Sequence, residues 1–421
     1  MNKLWAILIE RPLIENCYMR NLIGVTLCLW TLSVCCLAQG RLSGKVIDGK
    51  TKEALPYASI YLSDAPGTVT NEVGEFELRN PGTGYAKIQC MGYETLMVDA
   101  EKLTEVIVLK PKAYDIKTVT ITAIDINKLI RRLRSKYYPI LENDAKYLNR
   151  MYFYRQTTSN NDHVNELVEA FFKANPNLYV HNLQLLQGRY AALPNDSVNN
   201  RELMHSNFFD FSCIAPIGDQ EKPWVKFINE NWAKYYSVDI ETVKDSAGVE
   251  FYKMHFTAKK KVKKDVVEGT LWVNPKSLIV YRYEGHIKNF HYSATGLGIM
   301  KHQCPTFTIE YDTESMLPRV RSVKVDEDYN FTYFLALGKR KFHVKISSVL
   351  VAVDDMDSLY SKFDMADAQI AGKDDLADKI DEQPYDSLFW ENNPIIKRTP
   401  LEASTTKIFS EQGLFGNYRR E

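Results

Sequence analysis

Two short segments match patterns that carry chemistry in other proteins. Residues 44–51 fit the phosphate-binding pattern G-x-x-x-x-G-K-[ST], and residues 404–407 fit the S-x-x-K pattern of penicillin-binding enzymes. A phosphate-binding loop must follow a buried strand and open a helix whose first N–H groups hold the phosphate. Strand-forming residues lie between these glycines and Pro56 follows soon after, so we predict a strand and a turn instead of a nucleotide site.

The other patterns for catalysis or metal binding are incomplete. The S-x-x-K segment lacks S-D-N and K-T-G partners and lies near the C-terminus. H-E-x-x-H and G-x-S-x-G are missing, and Asp354–Asp357 lacks the glycine and glutamate of a calcium loop. The sequence therefore predicts no catalytic residue, no cofactor and no metal site.

An aromatic segment is the best candidate for contact with a ligand. Flat rings beside Asn, Glu and Lys can stack on sugar rings and bind their hydroxyl groups. The candidate ligand-contact residues are Trp224, Trp232, Tyr235 and Tyr236. Core packing is nevertheless the preferred interpretation, since Trp224, Phe227 and Ile228 recur at helical spacing and buried rings supply large apolar area for covering a sheet.

Composition favours a β-rich globular protein with more than one domain. The 421 residues include 25 Tyr and 19 Phe, which pack well across the strands of a sheet. Lys and Arg together number 53, as do Asp and Glu, so the chain lacks the basic excess of a nucleic-acid binder.

The N-terminal region resembles a secretion signal, predicted for residues 1–38 with cleavage before Gln39. Arg20 supplies a positive charge, an apolar run follows, and Cys36-Leu37-Ala38 gives small residues at the cleavage site. Met19 is then the true start. Two alternatives are a lipoprotein anchored through Cys35 and an uncleaved anchor, although the apolar run is short for a spanning helix. We predict export and no transmembrane helix in the mature chain.

The mature chain would keep three cysteines, Cys90, Cys213 and Cys304, which are far apart in the sequence. This spacing predicts no disulfide framework. Each thiol is expected to be a small buried apolar group.

Residues 39–122 alternate apolar and polar side chains in short runs separated by turn signals. Phe76 and Leu78 alternate with Glu75 and Glu77, and Asp48-Gly49 is one of several turns. We predict seven short strands, including one at 118–122, that form a small β-sandwich.

This stretch resembles the carboxypeptidase-regulatory-like (transthyretin-like) domain common in exported Bacteroidetes-type proteins. The resemblance rests on Gly44-x-Val46-x-Asp48, Leu55-Pro56-x-Ala58-x-Ile60-x-Leu62, Thr70-Asn71-x-x-Gly74-x-Phe76-x-Leu78, Gly92-Tyr93 and Val106-x-Val108-Leu109. Asn71 stands where the family more often has Asp. The resemblance implies a non-catalytic module. Nutrient receptors carry it before a plug and a membrane barrel, and the remaining part of this chain is too short for both.

An amphipathic helix is predicted within residues 123–144. Ile126, Leu129 and Leu133 share one face, Asp125 is a suitable N-cap and Pro139 a suitable end. Arginines and lysines on the other face indicate a solvated surface, with binding to anionic lipid as the alternative.

Residues 145–360 predict a large, curved, antiparallel sheet domain, which makes the fold class mainly β with some helix (α+β). Predicted strands are 147–158, 250–257, 265–273, 277–290, 306–311, 319–326 and 341–353. Helices or loops are predicted for 183–243. Val267–Tyr281 resembles a hairpin of periplasmic lipoprotein-carrier-like sheets, which implies a concave surface for an apolar ligand. Residues 361–421 are predicted to dock on the sheet through Phe389 and Trp390.

These features predict a non-catalytic exported envelope protein with a binding or docking role, accessory to outer-membrane uptake or assembly. The partner would be an envelope protein, a glycan or a lipid, met in the periplasm or on the periplasmic side of the outer membrane. The alternatives are a glycan- or peptide-directed hydrolase and a periplasmic lipid or lipoprotein carrier.

Overall fold

The computed structural model shows a mainly β protein. It describes residues 40–65, 67–79, 81–90, 92–111, 124–142, 150–161, 163–193, 214–219, 224–244, 249–290, 298–301, 304–312, 317–335, 338–353, 368–369, 376–392 and 400–415. The predictions for residues 1–38, the strand at 118–122, Cys213 and Asp354–Asp357 lie outside these ranges.

Two small sheets form the predicted sandwich. The first has the order β4–β1–β7, with β1 at Arg41–Asp48, β4 at Glu75–Arg79 and β7 at Val106–Leu109. The second has the order β3–β2–β5–β6, with β2 at Ser59–Leu62, β3 at Thr68–Val69, β5 at Tyr85–Gln89 and β6 at Leu96–Asp99. A short 3-10 helix, Ala100–Lys102, follows β6. Strand β1 is antiparallel to β4 and parallel to β7.

Alternation along these strands produces the sandwich core. Val46, Phe76 and Leu78 are buried, whereas Glu75 and Glu77 are half-buried on the other side of β4. After β1, Asp48 Oδ1 accepts hydrogen bonds from the amides of Lys50 (2.6 Å) and Thr51 (2.9 Å). Residues 44–51 are therefore a strand and a turn, as predicted, and do not open a helix.

Helix α1, Ile126–Glu142, follows the sandwich. The predicted cap is confirmed, because the amide of Lys128 donates to Asp125 Oδ1 (3.0 Å). The predicted end is wrong, since Pro139 lies inside the helix. Proline removes the hydrogen bond to the carbonyl of Ser135, but both residues are exposed, where water can satisfy that carbonyl.

The second part of the chain forms a 12-stranded antiparallel sheet within the described residues. Its order is β11–β12–β13–β14–β16–β17–β18–β8–β9–β10–β19, and β15 pairs with β17. The strands are β8 Arg150–Asn160, β9 His163–Pro176, β10 Val180–Ala192, β11 Tyr236–Lys244, β12 Glu250–Ala258, β13 Val266–Val273, β14 Val280–Lys288, β15 Gly298–Lys301, β16 Thr306–Asp312, β17 Arg319–Leu335, β18 Gly338–Ala352 and β19 Ala368–Gln369.

The two faces of this sheet have different coverings. On the inner face, the largest apolar core joins the sheet to helix α1 and to residues 214–217 and 224–228. Tyr137 of α1 donates its hydroxyl proton to the carbonyl of Leu278 (2.6 Å), which ties the helix to the β13–β14 connection. The outer face carries the side chains that alternate with this core, and the sandwich contacts part of it.

Three C-terminal helices lie on both sides of the β9–β10 end of the sheet. Helix α3, Leu376–Asp381, packs on the inner face, where Ile380 fills the space above Gly188. On the outer face, Phe389 and Trp390 of α4 (Ser387–Asn392) pack on Phe171. Phe409 of α5 (Pro400–Glu411) lies in a neighbouring cluster on the outer face, beside Leu167 and Ala191 of β9 and β10.

The prediction for residues 183–243 is wrong at both ends. Residues 183–192 belong to β10 and residues 236–243 form most of β11, whereas helix α2 is limited to Trp232–Tyr235. Strand β9 does not alternate cleanly between apolar and polar side chains, because both faces of the sheet are covered at this strand. Two buried glutamates, Glu166 and Glu169, also interrupt its apolar run. Residues 224–228, whose apolar side chains recur at helical spacing, are not helical, and Val225 forms a parallel bridge to Val266 of β13.

Candidate functional site

A cleft lies where the sandwich meets the outer face of the large sheet. We call it the sandwich–sheet cleft. It is lined by Tyr57, Asn71, Glu72, Arg155, Thr157, Ser347, Ser348 and Val349. The first three residues belong to the sandwich and the others to β8 and β18.

The sandwich wall of the cleft is held rigidly by a threonine. The Thr70 hydroxyl donates to the carbonyl of Leu55 (2.7 Å) and accepts from the amide of Ala58 (2.8 Å). Between those two residues Tyr57 adopts φ +56°, a conformation that is costly for a side chain of this size. Asn71 follows Thr70 directly. The loop therefore presents Tyr57 and Asn71 in a fixed arrangement.

The sheet wall contains a buried triad of charges on three neighbouring strands. Arg155 Nε donates to Glu169 Oε1 (2.7 Å), and Arg189 Nε donates to Glu169 Oε2 (2.6 Å). The Arg189 guanidinium lies 4.5 Å from the Trp390 ring centre and 4.7 Å from that of Phe415. The C-terminal helices thus exclude water from the ion pair, which strengthens it.

Polar contacts join the two walls at the mouth of the cleft. Glu72 Oε1 accepts a hydrogen bond from the Tyr57 hydroxyl (3.0 Å) and lies 3.2 Å from the Ser347 hydroxyl, whose single proton it shares with Asp326 Oδ1 (2.7 Å). Lys324 Nζ lies 3.5 Å from the same oxygen and 5.4 Å from the Tyr57 ring centre. Glu72 therefore connects the sandwich to β17 and β18.

An apolar cluster beneath the cleft holds the same two parts together. Val69 of the sandwich is buried with side chains from the sheet and the C-terminal segment. We call this group the docking cluster. Its members are Val69, Phe153, Phe171, Leu186, Val349, Val351, Val353, Phe389 and Trp390.

The rest of the outer face, on β11–β14 and β16, is polar and in part exposed. We call it the open face. Acidic and basic side chains alternate across its strands, so most charges have an opposite neighbour. The pairs include Glu241 with Lys253 and His255, Glu268 with His286 and Lys288, and Arg282 with Glu284 and Glu310.

The structure places the four predicted ligand-contact residues near the inner face. Trp224, Tyr235 and Tyr236 are buried in the main core, and Tyr236 donates its hydroxyl proton to the carbonyl of Val225 (2.7 Å). Trp232 is half-buried against that core. Burial of three rings fits the core-packing interpretation, and a ligand role for the four stays a prediction.

The remaining chemical motifs form neither a catalytic nor a metal-binding group among the described residues. Lys407 of the S-x-x-K segment is exposed on α5 and pairs with Glu411 (3.7 Å). Among the described residues, His, Cys, Asp and Glu side chains do not gather in threes that can hold a metal ion. Cys90 is half-buried, but Cys304 is exposed, so the expectation that Cys304 is buried is wrong.

None of the helices in the described ranges combines the length and the apolar character needed to cross a membrane.

The cleft was not predicted from the sequence. Its two walls come from segments separated by 275 residues, as the Glu72–Ser347 pair shows. One signal was present, since Arg155 directly follows the apolar run Met151–Tyr154 within a strand. A charge in such a run indicates either a solvated edge or a buried ion pair.

Residues 42–121 match the family model of the CarboxypepD_reg-like domain. The resemblance drawn from the strand and turn pattern is therefore confirmed for this part of the chain, and a β-rich region follows it. This regulatory-like domain is a non-catalytic module. A search of curated proteins gives no match.

Three solved structures are similar to parts of the chain at low TM-scores. The LolA superfamily protein NE2245 from Nitrosomonas europaea has a TM-score of 0.18 and 14% identity, covering 55% of this chain and 97% of its own. A DUF1329 family protein from Desulfovibrio piger has a TM-score of 0.20 and 12% identity, and the match covers 55% of this chain and 94% of that protein. A putative membrane-associated protein of unknown function from Bacteroides fragilis has a TM-score of 0.14 and 9% identity, and the match covers 75% of this chain and 97% of that protein.

Proposed function

We propose that this chain, with its CarboxypepD_reg-like domain at residues 42–121, is a non-catalytic exported protein of the cell envelope with a binding or docking role. The open face of the large sheet would be its binding surface. The partner would be an envelope protein, and the role would be accessory to outer-membrane uptake or assembly.

One observation supports this assignment most strongly. The sandwich and the C-terminal helices cover one end of the outer face, whereas the strands β11–β14 and β16 keep partly exposed charges of both signs. Asp239 and Thr306 at two places on this face are exposed. A broad polar face of mixed charge, bordered by a docked module, suits a protein partner with complementary charges.

Cross-linking from chosen positions tests the proposal. A photo-reactive amino acid would replace Asp239 or Thr306 on the open face, with Arg132 on the exposed side of α1 as the matched control. We expect one envelope protein to be cross-linked from both open-face positions and not from Arg132. Equal labelling from all three positions, or none from the open face, would contradict the proposal.

Location can be tested separately. We propose that residues 1–38 are a signal, so the mature chain should begin at Gln39 and be found in the periplasmic or outer-membrane fraction. N-terminal sequencing of the purified mature protein checks this. A chain that starts at Met1, or one that is lipidated at Cys35, would contradict cleavage of the signal before Gln39.

A second candidate function is carriage of an apolar ligand. Trp224 Nε1 and the hydroxyl of Tyr283 are buried in the main core, and neither has a hydrogen-bond partner among the described residues. An ester or amide carbonyl of a lipid could accept from both donors. Mass spectrometry of the native protein would show a bound lipid if this function applies, and its absence after gentle purification would count against it.

A further inference from the structure

The sandwich wall of the sandwich–sheet cleft contains a buried donor without a hydrogen-bond partner among the described residues. Asn71 is 2% exposed. Its Oδ1 accepts from the amides of Val73 (3.0 Å) and Glu75 (2.8 Å), which fixes the side chain in its turn. Its Nδ2 has no hydrogen-bond partner among the described residues. A buried amide nitrogen left without an acceptor is costly, so this group indicates a missing partner.

Two other residues that line the cleft also carry donors. Thr157 contributes a hydroxyl, and Arg155 contributes a guanidinium from the buried triad. The triad, which consists of Arg155, Glu169 and Arg189, has a summed charge of +1. Apart from the carboxylate of Glu72, the groups that line the cleft therefore favour a negatively charged oxygen.

The donors of the cleft match a ligand with two oxygens. One oxygen of a carboxylate can accept from Asn71 Nδ2 and the other from the Thr157 hydroxyl, while Arg155 supplies a positive charge nearby.

We propose that the sandwich–sheet cleft is a carboxylate-binding site, with Asn71 Nδ2 and the Thr157 hydroxyl as donors and Arg155 as the nearby positive group. The site is separate from the open face and does not depend on the function proposed for that face. Glu72 at the mouth is its built-in competitor, because its own carboxylate is held there by Tyr57 and Ser347.

Asn71→Asp is the sharpest test of the site. It keeps Oδ1 for the two turn hydrogen bonds and replaces the donor Nδ2 with a negative oxygen. Acetate would be titrated into the full chain labelled with ¹⁵N-asparagine, and the side-chain amide signal missing in N71D identifies Asn71. We expect a saturable shift of this signal with acetate and none with acetamide, which has the same shape without the charge.

Three variants make the outcome specific. N71D should weaken acetate binding more than about tenfold, measured by calorimetry. E72Q should strengthen it about fivefold, since it removes a like charge at the mouth. T157V should weaken binding while an unchanged thermal unfolding temperature shows that the fold is intact. Equal shifts with acetate and acetamide, no shift with either, or unchanged affinity in N71D would overturn the proposal.

The source of the carboxylate is distinguished by a peptide pair. A short peptide with a free C-terminal carboxylate and the same peptide with a C-terminal amide would be compared with acetate. Tighter binding of the free acid than of acetate assigns the site to a partner protein. Equal affinity of the peptide acid and acetate assigns it to a small metabolite. Binding of the amide as strong as that of the acid would contradict a carboxylate site.

Discussion

Glu72 of the sandwich accepts a hydrogen bond from Ser347 of the large sheet at 3.2 Å, across 275 residues of sequence. The same carboxylate oxygen lies 3.5 Å from Lys324. These contacts are partly exposed, so each contributes little on its own. The position of the sandwich is therefore determined mainly by the apolar docking cluster beneath them.

Replacing Val69 with Asp should displace the sandwich from the sheet. Val69 is buried in the docking cluster, and an unpaired charge there would cost roughly 3 kcal/mol or more. Hydrogen exchange should rise in the strands under the sandwich, and the molecule should become longer in small-angle scattering. The matched control is Val73→Asp at an exposed position four residues away, which should change neither measurement. Unchanged scattering in V69D would contradict the role of the cluster.

Glu169→Gln should destabilise the large sheet strongly. The substitution leaves two buried guanidinium groups without their shared carboxylate, which typically costs about 3–5 kcal/mol. Urea unfolding measures the loss. Glu284→Gln on the open face breaks a half-exposed pair with Arg282, so this control should lose at most about 1 kcal/mol. A similar loss in the free energy of unfolding in both variants would contradict a large contribution from the triad.

Trp390→Ala should release the C-terminal helices from the outer face. Trp390 packs on Phe171 and covers Arg189, and removing such a ring costs about 3–5 kcal/mol. Limited proteolysis should then cut between α3 and α4 faster than in the wild-type chain. Leu388→Ala, at a side chain that is 68% exposed, serves as the control and should be cut at the wild-type rate. An unchanged rate in W390A would mean that the helices are held by other contacts.

Asp219 gives a pH-dependent prediction. Its pKa is lowered to about 2, chiefly because Arg134 donates hydrogen bonds to its carboxylate (2.5 and 3.0 Å). A lowered pKa means that the ionised form stabilises the folded state above the unfolded pKa of about 4, and that this stability is lost as the pH falls through about 2. The side chain is 40% exposed, so solvent screening limits the contribution to about 1 kcal/mol.

Urea unfolding of wild type and D219N over a range of pH checks this. The stability difference should be about 1 kcal/mol at pH 7 and should shrink between pH 4 and pH 2. Asp239→Asn, at an exposed site on β11, is the control at pH 7 and should change the free energy of unfolding by less than about 0.5 kcal/mol. A difference between wild type and D219N that stays constant down to pH 2 would refute the assignment.

The parts of the fold that the sequence predicted share one physical property. Strands such as β1 and β4 have one covered and one partly solvated face, so alternation appears directly in the sequence. Helix α1 was predicted for the same reason, together with its cap at Asp125. Pro139 misled the prediction of its end, because exposure around the proline makes the lost hydrogen bond tolerable.

The parts that were not predicted depend on contacts between distant segments. Strands β9 and β10 are covered on both faces, and Glu169 and Arg189 are buried only because they meet across neighbouring strands. Likewise, Asn71 and Thr157 come together only after the sandwich docks. Neither pairing leaves a local pattern in one sequence, since the spacing along the chain carries no information about the packing partner.

The docking cluster also imposes an order on assembly. It combines Val69 from the first folded module with Phe389 and Trp390, which the ribosome adds more than 300 residues later. The sandwich can close its own core early, because all of that core lies between Val46 and Leu109. Its seat on the sheet is complete only when synthesis has almost ended, so a chain cut short before α4 would carry a folded but loosely attached first module.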